Sequence, residues 1–99
     1  MPADIHAQAD ALKALANPVR ILLLQTLRTR AKTATDLVRE TRLSKANVSQ
    51  HINLLKREGF VACVKRGSFC HYSLADRRIL PALASLEKVA SRARRIQAR

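Results

Sequence analysis

One stretch of the chain decides its fold: residues 44–61, SKANVSQHINLLKREGFV. Its first residue, Ser44, has a short side chain that can accept a hydrogen bond from the free amides at the start of a helix. Gly59 suits the position just after a helix, where the backbone commonly adopts a positive φ. The stretch therefore predicts a helix over residues 45–58.

The two faces of this helix differ in polarity. Val48, Ile52 and Leu55 recur at spacings of four and three, which places them together on one buried face. The opposite face has basic, amide, hydroxyl and small side chains and no acid. It consists of Lys45, Ala46, Ser49, Gln50, Asn53, Lys56 and Arg57.

Three further helices are predicted before this one. Apolar residues at helical spacing indicate a first helix from about Asp4 to Ala16 and a strongly apolar second helix from Pro18 to about Arg28, with Asn17 as its N-cap. After a polar loop, a short helix begins at Thr35 and ends near Thr41. The short helix, a tight turn and the helix 45–58 together form a helix-turn-helix.

A hairpin follows the helix-turn-helix. Alternating apolar residues predict strands over residues 60–64 and 69–74, joined by the basic segment KRGS at 65–68. With the two central residues of that segment, Arg66 and Gly67, as the turn, Cys63 lies directly opposite Cys70.

The last helix is predicted over residues 76–95, with an apolar seam at alternating spacings of four and three. The seam is Ile79, Leu83, Leu86, Ala90 and Ala93. A seam this narrow and long favours packing against a second copy of the chain, and the first helix is expected to contribute to the same dimer interface. Segments 1–16 and 76–95 are therefore expected to be dimerisation helices.

The order of elements, α-α-α-α-β-β-α, is that of a winged helix-turn-helix: a mainly α fold with a β-hairpin wing, in one domain over residues 1–99. In such a fold the second helix of the pair enters the major groove of DNA, and basic residues elsewhere contact phosphates. The predicted DNA-binding residues are Lys45, Ala46, Asn47, Ser49, Gln50, Asn53 and Lys56 on the helix, Lys65, Arg66 and Ser68 on the wing, and Thr33 and Thr35 before and in the short helix. Arg28, Arg30 and Lys32 are expected to be solvated or to contact phosphates.

Composition agrees with a nucleic acid partner. The chain has 99 residues, 47% of them hydrophobic, and a net charge of +12, which fits one small domain that binds a polyanion, double-stranded DNA first of all. The longest apolar run, Ile21–Leu24, is far too short to cross a membrane. Two cysteines are too few for a disulfide-rich secreted scaffold, so a cytoplasmic protein is expected. No catalytic grouping of side chains indicates an enzyme.

Three segments resemble the ArsR/SmtB family of bacterial transcriptional repressors. They are LANPVR at 15–20, LSKANVSQHI at 43–52 and YSL at 72–74. The likeness covers almost the whole chain, in order and with matching spacing. It implies a homodimer, joined through the first and last helices, that binds an imperfect palindrome in a promoter and is released by an inducer.

The metal sites of that family are not matched. One uses Cys-x-Cys near the start of the first helix of the pair, where residues 33–40 contain no cysteine. Another uses Asp-x-His at the start of the last helix and two later ligands, and the matching positions are Asp76, Arg78, Val89 and Arg92. Because cations replace ligands, no metal site and no cofactor are expected.

Two interpretations of Cys63 and Cys70 stay open. They are small buried hydrophobic residues, or they are a dithiol sensor of oxidant, reactive sulfur or a thiophilic metal, in which bridging distorts the wing. Of the histidines, His71 is expected on the face of its strand away from the cysteines, at the surface or facing DNA. His51 is expected to be packed and hydrogen-bonded beside the core face of the helix 45–58.

Other functions are alternatives to a sequence-specific repressor. The main one is an architectural protein that binds DNA through charge without a cognate site, against which the polar variety at residues 45–50 argues. A thiol redox or metal-buffering protein needs more thiols than two. RNA binding by stacking needs several exposed aromatic residues. The aromatic residues of this chain are Phe60, Phe69 and Tyr72, and at least two of them are needed for the core of the hairpin.

Overall fold

The computed structural model describes residues 3–97 of the chain. Within this range, five helices and one antiparallel hairpin follow each other. The helices are α1 (Ala3–Leu15), α2 (Pro18–Thr26), α3 (Ala34–Thr41), α4 (Lys45–Arg57) and α5 (Ile79–Gln97), and the strands are β1 (Val61–Arg66) and β2 (Phe69–Leu74). The predicted winged helix-turn-helix is confirmed, with α3 and α4 as the helix pair and the hairpin as the wing.

Helix α2 begins at the cap that its sequence predicts. The Oδ1 atom of Asn17 accepts a hydrogen bond of 2.8 Å from the second helical amide, and Pro18 is the first helical residue. The helix ends at Thr26 and not at the predicted Arg28. The reason is a tighter last turn, in which the amide of Arg28 donates to the carbonyl of Gln25.

The core lies where α2, α3, α4 and β1 meet. Its buried side chains are Leu23, Leu24, Leu27, Leu37, Val48, Ile52, Leu55 and Val61. Helix α4 turns its predicted apolar face fully inward, and burial of each side chain of this size contributes about 1.5–3 kcal/mol. The polar face of α4 is thereby held toward solvent.

The turn of the wing differs from the predicted one. Arg66 is paired with Phe69, so the two turn residues are Gly67 and Ser68, and the prediction of Arg66 and Gly67 is wrong. Gly67 has a φ of +62°, which a two-residue turn of type II′ requires at its first position. Strand β1 consequently continues to residue 66 and does not end at the predicted residue 64.

The new turn also changes the partners of the cysteines. Cys63 is opposite Tyr72 and Cys70 is opposite Lys65, so the prediction that the cysteines face each other directly is wrong. Because the register differs by an even number of positions, both cysteines still lie on one face of the hairpin. They are diagonal neighbours with Cα atoms 5.6 Å apart, and a disulfide joins them. The strand pairing runs past this bridge without interruption.

The terminal helices lie largely outside the core. Helix α5 begins at Ile79 and not at the predicted Asp76, because Asp76 forms a turn in which its Oδ1 atom accepts the amide of Arg78 at 2.9 Å. Among the described residues, α5 buries no side chain and α1 buries Ala14. The radius of gyration is 15.3 Å, above the roughly 13 Å of a compact domain of about 100 residues.

Candidate nucleic-acid interface

The exposed face of α4 presents the side chains predicted to read DNA. Those predicted on this helix are all exposed: Lys45, Ala46, Asn47, Ser49, Gln50, Asn53 and Lys56. The amide of Asn53 donates to the Ser49 hydroxyl at 3.4 Å. Amide side chains suit paired hydrogen bonds to adenine, and a lysine suits the acceptors of guanine. The face therefore has the chemistry that direct reading of base edges needs.

The first turn of α4 is electropositive. The Ser44 hydroxyl accepts the amide of Asn47 at 3.0 Å, as its predicted role as N-cap requires. The first turn contains no acid, and Lys45 adds a positive charge at the end where the helix dipole contributes about half a charge of the same sign. The electrostatic potential at this end of the helix is therefore positive.

A short motif connects the end of α4 to the wing. Gly59 has a φ of +87°, and its amide donates to the carbonyl of Lys56 at 3.1 Å. The amide of Phe60 donates to the carbonyl of Leu55 at 2.9 Å. These two bonds define a Schellman motif, which directs the chain from α4 straight into β1.

The turn between α3 and α4 is fixed by local hydrogen bonds. The Thr41 hydroxyl donates to the carbonyl of Leu37 at 2.6 Å and accepts the amide of Leu43 at 3.3 Å. Arg42 has a φ of 59°, a left-handed conformation that costs a residue with a side chain about 1–2 kcal/mol. The sequence did not predict Arg42 here, because glycine or asparagine is the usual signal for this position.

The start of α3 is closed by a reciprocal capping box. The Thr33 hydroxyl accepts the amide of Asp36 at 3.1 Å, and the Asp36 carboxylate accepts the amide of Thr33 at 3.1 Å. The pKa of Asp36 is lowered from 3.8 to about 2, mainly by the hydrogen bond from the Thr33 amide. The Arg39 side chain, whose Nη2 atom lies 2.8 Å from Oδ1 of Asp36, lowers it further. The Thr33 hydroxyl only accepts in this box, so its own proton stays available to another acceptor, and Thr35 is exposed beside it.

Lys32 does not behave as a solvated loop residue. Its side chain is 6% exposed, and its Nζ atom lies 2.6 Å from Oε1 of Glu40 on α3. Its backbone pairs with that of Tyr72 on β2 in both directions, at 2.9 and 2.8 Å. The expectation that Lys32 is solvated or contacts phosphate is therefore wrong: the residue joins the base of the wing to α3. A single lysine in a short polar segment carries no periodic signal that predicts this role.

The wing tip carries two exposed cations. Lys65 and Arg66 are consecutive residues of β1, so their side chains point to opposite faces of the hairpin, and Ser68 follows in the turn. The predicted residues thus lie in three groups: the α4 face, the wing tip and the start of α3. Their contacts with DNA remain predictions.

His51 is packed and hydrogen-bonded, as predicted, and is 9% exposed. Its Nδ1 atom lies 3.3 Å from Nε of Arg20 on α2. The Nη1 atom of the same guanidinium donates to the carbonyl of Ala14 at 2.9 Å and to that of Lys13 at 3.5 Å, in the last turn of α1. One arginine therefore connects the end of α1 to the middle of α4.

The arrangement described above matches a known group of regulators. The profile of the bacterial regulatory proteins of the arsR family matches residues 17–62, from the cap of α2 to the start of β1. The HTH-type transcriptional regulator Rv0081 of Mycobacterium tuberculosis is 35% identical over 86 residues, which are 86% of this chain and 75% of that protein. The chain belongs to the ArsR family.

Other comparisons with this ArsR-family chain agree. The transcriptional repressor SdpR of Bacillus subtilis is 32% identical over 65 residues, 66% of this chain and 72% of that protein. The crystal structure of Rv0081 superposes with a TM-score of 0.81 at 30% identity over 100% of both chains. A homodimeric winged helix-turn-helix DNA-binding domain from Mycobacterium bovis has the same fold, with a TM-score of 0.73 at 23% identity over 92% of this chain and 88% of that one. The ArsR-family chain is a DNA-binding transcription regulator and not an enzyme.

The Asp-x-His position of ArsR-family metal sites is occupied by an ion pair in this member. The Nη2 atom of Arg78 lies 2.6 Å from Oδ2 of Asp76. The Arg78 side chain, and then its amide, lower the pKa of Asp76 from 3.8 to about 2, and the pair raises the pKa of Arg78. Within residues 3–97, no three His, Cys, Asp or Glu side chains are grouped to hold a metal ion. None of the helices described is long and apolar enough to cross a membrane.

The ArsR-family chain exposes large apolar side chains on its terminal helices. On α5, Leu86 is 51% and Val89 is 68% exposed, and Ile96 follows two turns later. On α1, Ile5 and Leu12 are exposed as well. Exposed apolar residues at this spacing on the two terminal helices are typical of a surface that a partner covers.

Proposed function

We propose that this ArsR-family regulator represses transcription in the bacterial cytoplasm by binding a palindromic operator as a homodimer. The observation that carries the proposal is the exposed face of α4, which is free of acids and combines basic side chains with amide and hydroxyl side chains. Pure attraction to phosphates needs only basic residues, whereas this variety suits the distinct donor and acceptor patterns of base pairs.

The dimer is proposed to form through α1 and α5, as the sequence predicted. Their exposed apolar residues support it, as does the burial of so few of their side chains within one chain. A two-fold axis through this surface presents two copies of α4 to one side of a duplex. The half-sites are then expected about one helical turn apart, roughly 34–36 Å between centres.

Two classes of contact are assigned in this proposal. Lys45, Asn47 and Gln50, in the first two turns of α4, read base edges. Lys65 and Arg66 on the wing contact the phosphate backbone, and such contacts make the affinity fall steeply with salt.

Selection from random duplexes followed by sequencing tests the proposal, with dimer formation measured by sedimentation. An enriched palindrome supports it. The matched variants are Gln50→Ala and Arg66→Ala: the first is expected to relax sequence preference, because a base contact is lost, and the second to weaken all sequences alike. Equal losses for Gln50→Ala on cognate and scrambled DNA would remove its role in base reading. Binding without an enriched motif would favour the architectural alternative.

The disulfide of the wing is proposed to sense the thiol state of the cell. Cys70 is paired with Lys65 at the wing tip, and Cys63 with Tyr72, whose backbone is bonded to Lys32. Reduction by two small thiols would open the bridge and release one small-molecule disulfide, which balances the electrons. The cross-link between the two strands is then lost next to the tip.

Operator binding by the bridged and the reduced protein tests this part, with thiols counted in each sample. A difference in affinity that disappears when both cysteines are replaced, Cys63→Ser with Cys70→Ser, supports the sensor. Equal affinities in both states would leave the cysteines as packing residues.

A further inference from the structure

The contacts of Arg20 join two parts of the molecule with different roles. Its guanidinium donates to carbonyls in the last turn of α1, at 2.9 and 3.5 Å, and to Nδ1 of His51 on α4 at 3.3 Å. The last carbonyls of a helix have no partner within that helix, so the arginine satisfies groups that are otherwise free. His51 directly follows Gln50, which lies on the exposed face of α4.

The chemistry of this link depends on the protonation of His51. An imidazole nitrogen accepts from a guanidinium only when it carries no proton, so Nδ1 is unprotonated in this arrangement and any proton sits on Nε2. A second proton on the ring would remove the acceptor and place a cation 3.3 Å from the Arg20 Nε atom. The ring is 9% exposed, so water screens that repulsion poorly.

The surroundings offer His51 no compensating acid. Helix α4 packs mainly against α2, α3 and β1. In the part of the chain that the structure describes, no carboxylate oxygen lies within 4.0 Å of a nitrogen of this ring, and the acids of α3 are paired with other cations. The titratable and charged residues of these elements and of α4 itself are Arg20, Asp36, Arg39, Glu40, Lys65, Arg66, Lys45, Lys56 and Arg57.

We infer that Arg20 is a positioning residue for DNA binding: through unprotonated His51 it holds α4 in place relative to α1, and protonation of His51 releases the hold. The inference rests on the proposed function, because α1 is there a dimerisation helix and its position sets the spacing of two copies of α4. Loss of the link lets each α4 move relative to the two-fold axis, so operator affinity falls while the dimer and the fold persist.

The test compares affinity for the selected operator at two pH values: one at which the nitrogen shifts of the His51 ring show an unprotonated Nδ1, and a lower one at which they show a second proton on the ring. His51→Asn is the decisive variant, because its Oδ1 atom takes the place of Nδ1 as an acceptor but does not titrate. The wild type is expected to lose about tenfold more affinity between the two pH values than His51→Asn, in line with the strength of a hydrogen bond to a charged group. His71→Gln, on the wing, is the matched control and is expected to keep the wild-type drop.

Two other variants separate positioning from folding. Arg20→Lys keeps the charge but cannot donate to both partners, so it is expected to bind weakly at both pH values with a flattened pH profile. His51→Leu lacks the acceptor and is expected to behave the same way. Circular dichroism and sedimentation give the folded fraction and the dimer fraction of each sample, and affinities are compared only at matched fractions. His51→Asn with the wild-type pH drop, or Arg20→Lys with wild-type affinity and profile, would overturn the inference.

A second readout does not depend on DNA. Nitrogen chemical shifts of the His51 ring report whether Nδ1 accepts a hydrogen bond, and amide exchange in the last turn of α1 reports whether its carbonyls stay bonded. Both are expected to change together as the pH falls. If no palindrome is selected at about pH 8, the proposed function fails, and these measurements still decide whether the link responds to pH. A bonded Nδ1 at low pH would count against the inference.

Discussion

Removal of the Glu40 carboxylate leaves the ammonium of Lys32 buried without its partner. The pair is 2.6 Å long, with side-chain exposures of 6% for Lys32 and 34% for Glu40. Breaking a fully buried pair from one side costs about 3–5 kcal/mol, and an exposed pair contributes about 0–1 kcal/mol. Because one partner is buried and the other is one-third exposed, we expect Glu40→Ala to lower the free energy of unfolding by about 2 kcal/mol. Alanine is the best helix former, so a loss of stability in this variant cannot come from a lower helix propensity.

The assay is unfolding in urea at one protein concentration, because dimer formation makes stability depend on concentration. In thermal unfolding the same loss corresponds to roughly 10 °C in Tm for a chain of this size. Glu58→Ala is the matched control: its partner Arg57 is 3.9 Å away and both side chains are exposed, so a change below about 0.5 kcal/mol is expected.

A double variant completes the test. Lys32→Met combined with Glu40→Ala removes the buried charge and is expected to recover at least half of the loss, because an apolar side chain of similar size fills the same space. A Glu40→Ala protein as stable as the wild type, or a double variant less stable than either single one, would refute the reasoning that the ammonium is the source of the cost.

Three other predictions concern a carboxylate, a cap and the terminal helices. The pKa of Asp36 is lowered to about 2 in the folded protein, so between about pH 4 and pH 2 the unfolded chain binds more protons and the free energy of unfolding falls as the pH drops. Asp36→Asn is expected to make this fall smaller when it is measured by urea unfolding, and the fall that remains is due to other carboxylates. An Asp36→Asn protein whose free energy of unfolding falls with pH as steeply as that of the wild type would contradict the prediction. Asn17→Ala removes the cap of α2 and is expected to cost about 1 kcal/mol, whereas Asn53→Ala, which caps no helix, is expected to change stability little; equal effects in thermal unfolding would argue against the cap. Val89→Glu on α5 is expected to shift the sedimentation coefficient from dimer to monomer, with Val64→Glu on the wing as control, and a dimeric Val89→Glu protein would exclude this part of α5 from the interface.

The parts of the fold that local signals encode were predictable from the sequence. The caps Asn17 and Ser44, and Gly59 after α4, each act on the helix next to them, so the residues within a few positions suffice to predict them. The exposed face of α4 follows from helical periodicity alone. The same periodicity placed the candidate DNA-reading residues of α4 on one exposed surface.

The parts set by contacts distant in sequence could not be predicted in the same way. The pairing of Lys32 with Tyr72 and Glu40 joins three segments of the chain, and none of them carries a signal of the others. The turn of the wing depended on which residue takes the position of positive φ, and Gly67 fits two registers of the KRGS segment equally in sequence. The late start of α5 results from the Asp76 turn, whose side-chain bonds compete with the helix.

The sparse burial of α5 also bears on how long the protein survives in a cell. Its second half carries Arg92, Arg94 and Arg95 on a helix that buries no side chain in its own chain, so an unpaired copy presents cleavage sites to proteases that cut after basic residues. A copy paired as proposed shields part of the same helix. Degradation would then remove unpaired copies first, and the intact molecules that accumulate would be enriched in the form that binds DNA.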